Sequence, residues 1–221
     1  MLVIPVINCP DSGCVREKIK KVREFGAEWA HVDVADGKFT EARTWNNPED
    51  LELFADDFGD VKLEVHLMVS EPQTAVGDWL RAGVNRIIVH FEALSDPAAT
   101  GGAGGWEIIC DKIEREGREL GLAINPETPT HVLTPYLKAV SLIELLAVSP
   151  GPAGQKFNPA IIGKLKELKA REPELVVEID GGVDLETAKM LKIAGADIVA
   201  SASYIWGSKN PKGAFNKLGN V

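Results

Sequence analysis

The sequence predicts an α/β protein in which eight parallel strands close into one (β/α)8 barrel spanning residues 1–221. Apolar runs rich in β-branched residues alternate with amphipathic, charged segments along the whole chain. The apolar runs show no polar face, which is typical of parallel strands covered by helices. An open doubly wound sheet is the alternative, but such sheets usually have fewer strands.

The predicted strands and helices alternate regularly, and no linker divides the chain. The predicted strands are Leu2–Ile7, Trp29–Val34, Val61–Leu67, Arg86–His90, Leu120–Ile124, Leu142–Val148, Leu175–Asp180 and Ile198–Ser201. The predicted helices are Val15–Phe25, Pro48–Ala55, Pro72–Ala82, Trp106–Arg115, Thr130–Ala139, Pro159–Ala170, Leu185–Ala194 and Pro211–Leu218. Prolines at or near helix starts, and Gly83 and Gly195 after helix ends, support these boundaries. A single domain follows.

The composition is that of an ordinary soluble globular protein, with 45% hydrophobic and 26% charged residues among 221. The chain has 24 basic and 33 acidic residues, which gives a net charge of −9. This charge argues against nucleic acid or an anionic membrane as a partner. An anionic substrate would then need local cations or backbone amides. The N-terminus lacks a signal-peptide pattern and no apolar run could span a bilayer, so we expect a cytoplasmic protein.

The cysteines, Cys9, Cys14 and Cys110, are three in number and show no Cys-x-x-Cys spacing. An odd number without a motif predicts free thiols in a reducing compartment.

Polar side chains stand at the carboxyl ends of three predicted strands. His31 and Asp33 end one strand, His66 ends the next, and Asp180 ends the seventh. Residues i and i+2 of a strand point to the same side, so His31 and Asp33 project together. A lone histidine at a strand end is more often structural, but four such groups at one barrel mouth predict a metal site. Imidazole and carboxylate ligands favour one divalent ion of zinc, iron(II), manganese or cobalt.

Other polar residues have alternative interpretations. Glu64 and Glu178 precede His66 and Asp180 by two residues and would orient the ligands, or would be merely structural. His90 is interpreted as a hydrogen-bonded supporting residue and His131 as a surface residue. Asp36 has the position of a turn residue. No serine or cysteine, including Ser203 and Cys14, has an evident base partner.

Small residues follow the last three strands and predict a phosphate-binding cradle, because amides exposed by such residues bind phosphate in barrels of this kind. The candidate residues are Gly151, Pro152, Ala153, Gly154, Gly181, Gly182, Ala202 and Ser203. Lys156 could add a positive charge or be a solvated surface residue. The glycine-rich stretch 97–105 fits no P-loop or dinucleotide fingerprint and is either a flexible loop or a mobile lid.

Together these motifs resemble the ribulose-phosphate 3-epimerase family over essentially the whole chain. The residues that carry the resemblance are His31-Val-Asp-Val-Ala-Asp-Gly37, Val65-His-Leu-Met-Val69, Gly121-Leu-Ala-Ile-Asn-Pro126, Gly154-Gln-Lys-Phe157, Glu178-Ile-Asp-Gly-Gly-Val183 and Ala194-Gly-Ala-Asp197.

The resemblance implies a TIM barrel that acts as an isomerase, interconverting D-ribulose 5-phosphate and D-xylulose 5-phosphate at C3. It implies that His31, Asp33, His66 and Asp180 bind the metal, and that Asp33 and Asp180 are also the acid–base pair. His66 would additionally touch the substrate. The expected partner is a small phosphorylated sugar, and the resemblance suggests a homo-oligomer.

The chain departs from the family pattern around the expected pocket. Val6 replaces a serine, Ala35 and Leu146 replace methionines, and Met68 is retained. Thr40-Glu-Ala42, Pro152-Ala153 and Ala202-Ser203 replace the usual loop residues. These changes leave open a larger substrate such as a ketohexose 6-phosphate, or a paralogue that binds a phosphosugar without turning it over. A barrel lyase or decarboxylase is disfavoured because no Asp-x-Lys-x-x-Asp arrangement occurs on the early strands.

Overall fold

Eight parallel strands close into a barrel in the computed structural model of the protein, which describes residues 1–94 and 104–221. Each strand pairs with the next along the chain, and β8 pairs with β1 to complete the barrel. The strands are β1 Leu2–Ile7, β2 Trp29–Ala35, β3 Lys62–Met68, β4 Arg86–His90, β5 Glu119–Ile124, β6 Leu142–Leu146, β7 Val177–Asp180 and β8 Ile198–Ser201. The predicted (β/α)8 fold is confirmed, and every predicted strand is present.

Helices surround the barrel. They are α1 Ser12–Phe25, α2 Ala55–Phe58, α3 Pro72–Arg81, α4 Phe91–Leu94, α5 Gly105–Arg115, α6 Ile161–Arg171, α7 Leu185–Ala194, α8 Ser203–Trp206 and α9 Pro211–Gly219. Two 3-10 helices, Pro48–Phe54 and Thr130–Leu133, also occur. The predicted helix Thr130–Ala139 is therefore wrong beyond its first turn. The short helices α4 and α8 follow strands directly and were not predicted.

Local sequence signals fix the main helix ends. Asp11 accepts a hydrogen bond from the Cys14 amide at 2.9 Å and begins α1, while Gly26 ends it with a left-handed backbone (φ 78°). Asp184 and Thr187 form a capping box at the start of α7, and Gly195 ends that helix. These ends determine where the intervening strands start and finish.

The barrel interior changes character from one end to the other. An apolar cluster inside the barrel extends up to Leu146, beside Asp180, and contains Ile4, Trp29, Ile88, Ala123, Leu142, Leu146 and Ile198. Towards the carboxyl ends of the strands, inward-facing positions carry histidine and carboxylate side chains, of which His31, Glu64, Glu144 and Glu178 are fully buried. Most polar groups of the interior are therefore gathered at one mouth of the barrel.

Positions 97–103 of the predicted glycine-rich loop lie outside the described residues, so the lid remains a prediction. None of the helices in the described part of the chain combines the length and the apolar character needed to cross a lipid bilayer.

The structure corrects the prediction of three free thiols. Cys9 and Cys14 form a disulfide across the turn between β1 and α1, with their Cα atoms 5.8 Å apart, and Cys110 is a free, half-buried thiol. An odd number of cysteines without a motif did not exclude this pair, because the turn capped by Asp11 brings the two residues together. The separation of five residues carried no signal on its own.

This pairing predicts the outcome of thiol alkylation. Denatured, unreduced protein should incorporate one iodoacetamide adduct, at Cys110, and reduced protein three, as counted by intact-mass spectrometry. A Cys110→Ser variant is the control and should incorporate none before reduction. Three adducts without reduction would contradict the disulfide.

Candidate metal centre

Four polar side chains meet at the carboxyl end of the barrel. The strand register places Asp33 beside His66 across β2 and β3, and places Asp180 beside Leu146 across β6 and β7. His31 lies two residues before Asp33 on the same face of β2. One ligand atom from each of His31, Asp33, His66 and Asp180 lies within 4.8 Å of the others. This cluster could hold one metal ion, as the strand-end pattern predicted.

The orientation of the two imidazoles fits a metal at this position. His31 directs Nδ1 to Glu64 Oε1 at 2.9 Å and Nε2 to Asp33 Oδ1 at 3.2 Å. His66 Nδ1 is buried 3.4 Å from Asp33 Oδ1 and has no hydrogen-bond partner among the described residues. A buried nitrogen that faces a carboxylate without bonding to it is costly in a metal-free site and is satisfied once a cation is coordinated.

The two aspartates have opposite acid–base properties. Burial raises the pKa of the Asp180 carboxyl to about 7, and the nearby charge of Asp33 adds to the increase. Burial also opposes ionisation of Asp33, but the hydrogen bond and the positive charge of His31 outweigh it and hold the pKa of that carboxyl well below its usual range. Asn8 Nδ2 donates a further hydrogen bond to Asp33 Oδ2 at 2.8 Å. One carboxyl group therefore binds a proton near neutral pH and the other does not.

The imidazoles also differ. Burial lowers the pKa of His66 to about 4. Burial acts in the same direction on His31, but the carboxylates of Asp33, Glu178 and Glu64 surround it and raise the pKa of this imidazole well above its usual range. His31 is therefore protonated at neutral pH in the metal-free protein, whereas His66 is neutral.

Three glutamates form a layer beneath the four ligands. Glu64, Glu144 and Glu178 lie two residues before His66, Leu146 and Asp180 on their strands, and all three are fully buried. Glu64 is bound by His31 and by Arg86 Nη1 at 2.6 Å, whereas the oxygens of Glu144 and Glu178 lack hydrogen-bond partners among the described residues. Burial raises the pKa of Glu178 to about 8 and that of Glu144 well above its usual range.

Polar residues farther out support the cluster. His66 Nε2 lies 2.8 Å from His90 Nε2, and His90 Nδ1 lies 3.2 Å from Glu92 Oε2. Asp36 accepts hydrogen bonds from the amides of Lys38, Phe39 and Ser70, which confirms its predicted turn role. His131 is exposed, as predicted.

An open cleft of about 470 Å³ lies above the cluster. Asp33, His66 and Asp180 form its floor, and the predicted pocket residues Val6, Met68 and Leu146 form its wall. Ala35 is buried beside Met68 in the strand register and is not one of the lining residues. The predicted phosphate residues Gly151, Pro152, Ala153, Gly154, Gly181, Gly182, Ala202 and Ser203 line the other end.

Close packing explains the two glycines after β7. A Cβ atom on Gly182 would lie 2.5 Å from the Phe157 amide nitrogen, and one on Gly181 would lie 2.5 Å from Val148 Cγ2. Both glycines also have positive φ angles, 66° and 103°, which other residues rarely adopt. The backbone can therefore line the cleft directly.

Sequence reasoning missed three residues of this site. Asn8 follows β1 and Glu92 follows β4, so both stand at the same barrel end as the recognised ligands. Glu144 stands two residues before Leu146, the same spacing that drew attention to Glu64 and Glu178, but the absence of a polar residue at position 146 hid the pattern.

The proton affinities predict that metal binding strengthens with pH. A cation needs ionised Asp180 and neutral His31, and both groups hold a proton at neutral pH in the metal-free protein because their pKa values are raised. The apparent affinity for Zn²⁺ should therefore increase at least about tenfold between pH 6 and pH 8. Chelator competition gives the affinity, and calorimetry in two buffers gives the protons released. An Asp180→Asn variant should bind more weakly and release fewer protons; a flat pH profile in the unmodified protein would contradict this interpretation.

Glu144 provides a prediction about stability. Replacing this buried carboxyl with leucine should raise the free energy of unfolding of the metal-free protein by about 1–3 kcal/mol, because an unpartnered polar group is removed. A carboxyl whose pKa is raised on folding weakens the fold above its unfolded pKa, so the gain should increase from pH 5 to pH 8. Urea unfolding at both pH values measures this.

A matched Glu144→Gln variant separates the two contributions. Glutamine cannot ionise but keeps two polar atoms. The variant should therefore show the same change in free energy of unfolding between pH 5 and pH 8 as Glu144→Leu, with a smaller increase in stability at each pH. Lower stability of Glu144→Leu at pH 8 would contradict the assignment.

Comparison with known proteins identifies relatives along nearly the full length of the chain. The model of the ribulose-phosphate 3 epimerase family matches residues 2–206. A ribulose-phosphate 3-epimerase of Chlamydia trachomatis is 34% identical over 218 residues, covering 93% of this chain and 86% of the relative. That of Bacillus subtilis is 32% identical over 221 residues, covering 98% and 97% of the two chains.

Solved structures agree on the fold. A 3-hexulose-6-phosphate synthase from Salmonella typhimurium superposes with a TM-score of 0.73 at 12% identity, covering 100% of this chain and 97% of its own. KGPDC from Streptococcus mutans, in complex with D-R5P, gives a TM-score of 0.70 at 13% identity, covering 99% and 95%. At such identities the likeness concerns the barrel alone. The family match and the curated relatives are far more specific, and they show that this chain belongs to the ribulose-phosphate 3-epimerase family, a family of isomerases.

Proposed function

We propose that this chain inverts C3 of a ketopentose phosphate, interconverting D-ribulose 5-phosphate and D-xylulose 5-phosphate. The observation that carries the proposal is the pair Asp33 and Asp180, which reach one cleft from β2 and β7. Inversion at carbon requires that a proton leave from one face and return from the other, a task that two separate acid–base groups such as these carboxyl groups can perform. The relatives named ribulose-phosphate 3-epimerase support this choice of reaction.

The proton inventory of the two carboxyl groups suits this task. In one direction, the ionised aspartate removes the C3 proton and the electron pair moves into the C2 carbonyl, giving an enediolate. The protonated aspartate then delivers its proton to the opposite face of C3. In the metal-free protein the pKa of Asp180 is raised and that of Asp33 is lowered, so the two carboxyl groups differ in their affinity for a proton. In the reverse direction their roles exchange.

The donor set suits one divalent ion of zinc, iron(II), manganese or cobalt, held by His31, Asp33, His66 and Asp180. Such an ion would stabilise the negative charge that develops on the substrate oxygens. The protein itself contributes the orientation of the ligands. Glu64 accepts from His31 Nδ1 and leaves His31 Nε2 directed at the site, and Asn8 holds Asp33 through its outer oxygen.

The far end of the cleft suits the phosphate group. The chain has a net charge of −9, so an anion gains nothing from the overall field and must be bound locally. Gly181, Gly182 and Ser203 line this end, and the first amides of α8 have no partner within their own helix. Backbone amides brought close by the glycines would bind the phosphate oxygens.

The decisive test is proton NMR of the metal-loaded protein with D-ribulose 5-phosphate in deuterium oxide. Xylulose 5-phosphate carrying deuterium at C3 should form. Asp33→Asn and Asp180→Asn should each lower the rate at least about 100-fold, because each removes one acid–base group. Asp184→Asn is the matched control, since this exposed aspartate caps α7 and asparagine caps equally well.

The same experiment distinguishes the alternatives. Faster exchange with a ketohexose 6-phosphate than with the pentulose would assign the larger sugar. Binding of phosphosugars without exchange at C3, in folded and metal-loaded protein, would contradict catalysis and indicate a binding protein.

A further inference from the structure

We infer that His90 and Glu92 are positioning residues that fix which nitrogen of His66 is available to the metal. The inference rests on the proposed ligand set, but concerns two residues outside it. Both stand at the carboxyl end of β4, where the chain passes into α4. His90 is fully buried, and Glu92 is partly buried.

Glu92 lies at the outer end of the series of contacts that leads to His66. Its Oε1 accepts hydrogen bonds from the backbone N–H of Asn125 at 2.8 Å and from the Thr128 hydroxyl. Its Oε2 faces His90 Nδ1 at 3.2 Å. A carboxylate only accepts, so His90 Nδ1 must carry a hydrogen, and in neutral His90 the other nitrogen, Nε2, is then a bare acceptor.

The contact between His90 and His66 then determines which nitrogen of His66 carries a hydrogen. His90 Nε2 and His66 Nε2 are 2.8 Å apart, so one of the two nitrogens must donate and the other must accept. Since His90 Nε2 accepts, His66 Nε2 carries the hydrogen. His66 Nδ1 is therefore bare and faces Asp33 Oδ1 in the metal cluster.

The ring geometry supports a true hydrogen bond. The planes of His66 and His90 are inclined by 25° and their centroids are 4.9 Å apart, although the two nitrogens approach to 2.8 Å. In a face-to-face stack, centroids and nearest atoms would be separated by similar distances. The rings thus meet edge to edge, which aligns the N–H bond with the acceptor. Phe39 packs on His90 with ring centroids 4.6 Å apart and helps to hold it.

Glu144 is the competing acceptor for His66. Its Oε1 lies 3.4 Å from His66 Nε2, but neither of its oxygens has a hydrogen-bond partner among the described residues. Either acceptor would leave the hydrogen on His66 Nε2. Only if the acceptor is His90 does Glu92 influence the position of that hydrogen. Substitution of Glu92 therefore distinguishes the two acceptors.

Glu92→Gln is the sharpest test, because it preserves the size of the side chain. It should also reverse the direction of both hydrogen bonds in the relay, by which we mean the contacts from Glu92 through His90 to His66. The backbone N–H of Asn125 still requires an acceptor, which keeps the oxygen of the new glutamine side chain at the Oε1 position. The NH₂ group of that side chain then points towards His90 Nδ1. His90 must then accept at Nδ1 and donate from Nε2. His66 would accept at Nε2 and carry its hydrogen on Nδ1, directed at the metal position.

The readouts are Zn²⁺ affinity, by chelator competition, and histidine tautomers, by long-range ¹H–¹⁵N NMR of the metal-free protein. The chain has four histidines, which makes assignment tractable. In the unmodified protein, His66 should be the Nε2–H tautomer and His90 the Nδ1–H tautomer. Glu92→Gln should reverse both and weaken Zn²⁺ binding about 10–100-fold, with an unchanged circular dichroism spectrum.

A second pair of variants separates the hydrogen bond from packing. His90→Gln can place its oxygen near the former Nε2 and should keep Zn²⁺ affinity within about tenfold of the unmodified protein, whereas His90→Leu removes the acceptor and should lose more. His131→Gln, at an exposed histidine, is the matched control and should leave affinity unchanged.

Unchanged tautomers and Zn²⁺ affinity in Glu92→Gln would overturn the relay, as would an Nδ1–H tautomer of His66 in the unmodified protein. A loss of turnover in Glu92→Gln with full Zn²⁺ affinity would overturn it as well. Failure of the proposed reaction is seen separately, as absence of deuterium exchange at C3 in the unmodified, metal-loaded protein.

Discussion

The site depends on the burial of ionisable groups in two successive layers of the barrel interior. Carboxylates removed from water are stable only if they are paired, hydrogen-bonded or protonated. This chain uses all three solutions: Glu64 is paired with Arg86, Asp33 is hydrogen-bonded by Asn8, and burial raises the pKa of Glu178. Whether each of these carboxyl groups carries a proton depends on which of the three applies to it.

A divalent cation changes that balance in a defined way. It would displace the protons of Asp180 and His31, and would satisfy the unpartnered Nδ1 of His66. Glutamates lie beyond both imidazoles, but at different distances. His31 is oriented by Glu64 directly, whereas His66 reaches Glu92 only through His90. In each case a glutamate orients the ring, and one ring nitrogen is directed at the cluster.

The sequence predicts the fold and the four strand-end groups because both depend on short-range patterns. Alternation of apolar runs gave all eight strands, and the i, i+2 rule placed His31 with Asp33. Contacts between strands distant in sequence were beyond such reasoning. The route from Glu92 to His66 and the burial of Glu144 depend on register between neighbouring strands. The Cys9–Cys14 disulfide and the early end of the helix begun at Thr130 depend on local turn geometry that composition does not encode.

Two of the loops in which the sequence differs from the expected family pattern are physically linked. Thr40, after β2, donates its hydroxyl hydrogen to the carbonyl oxygen of Pro150, after β6, at 3.0 Å. Gln155 Nε2 donates to the Ser149 and Pro152 carbonyls and closes the same loop. Pro152 cannot donate an amide hydrogen, so this position offers no donor to a phosphate group. The side chain of Thr40, from the loop after β2, anchors the same loop. Because the strands carry the proposed acid–base pair and the loops carry these differences, we expect the proposed phosphate end of the cleft to vary without altering the proposed chemistry at C3.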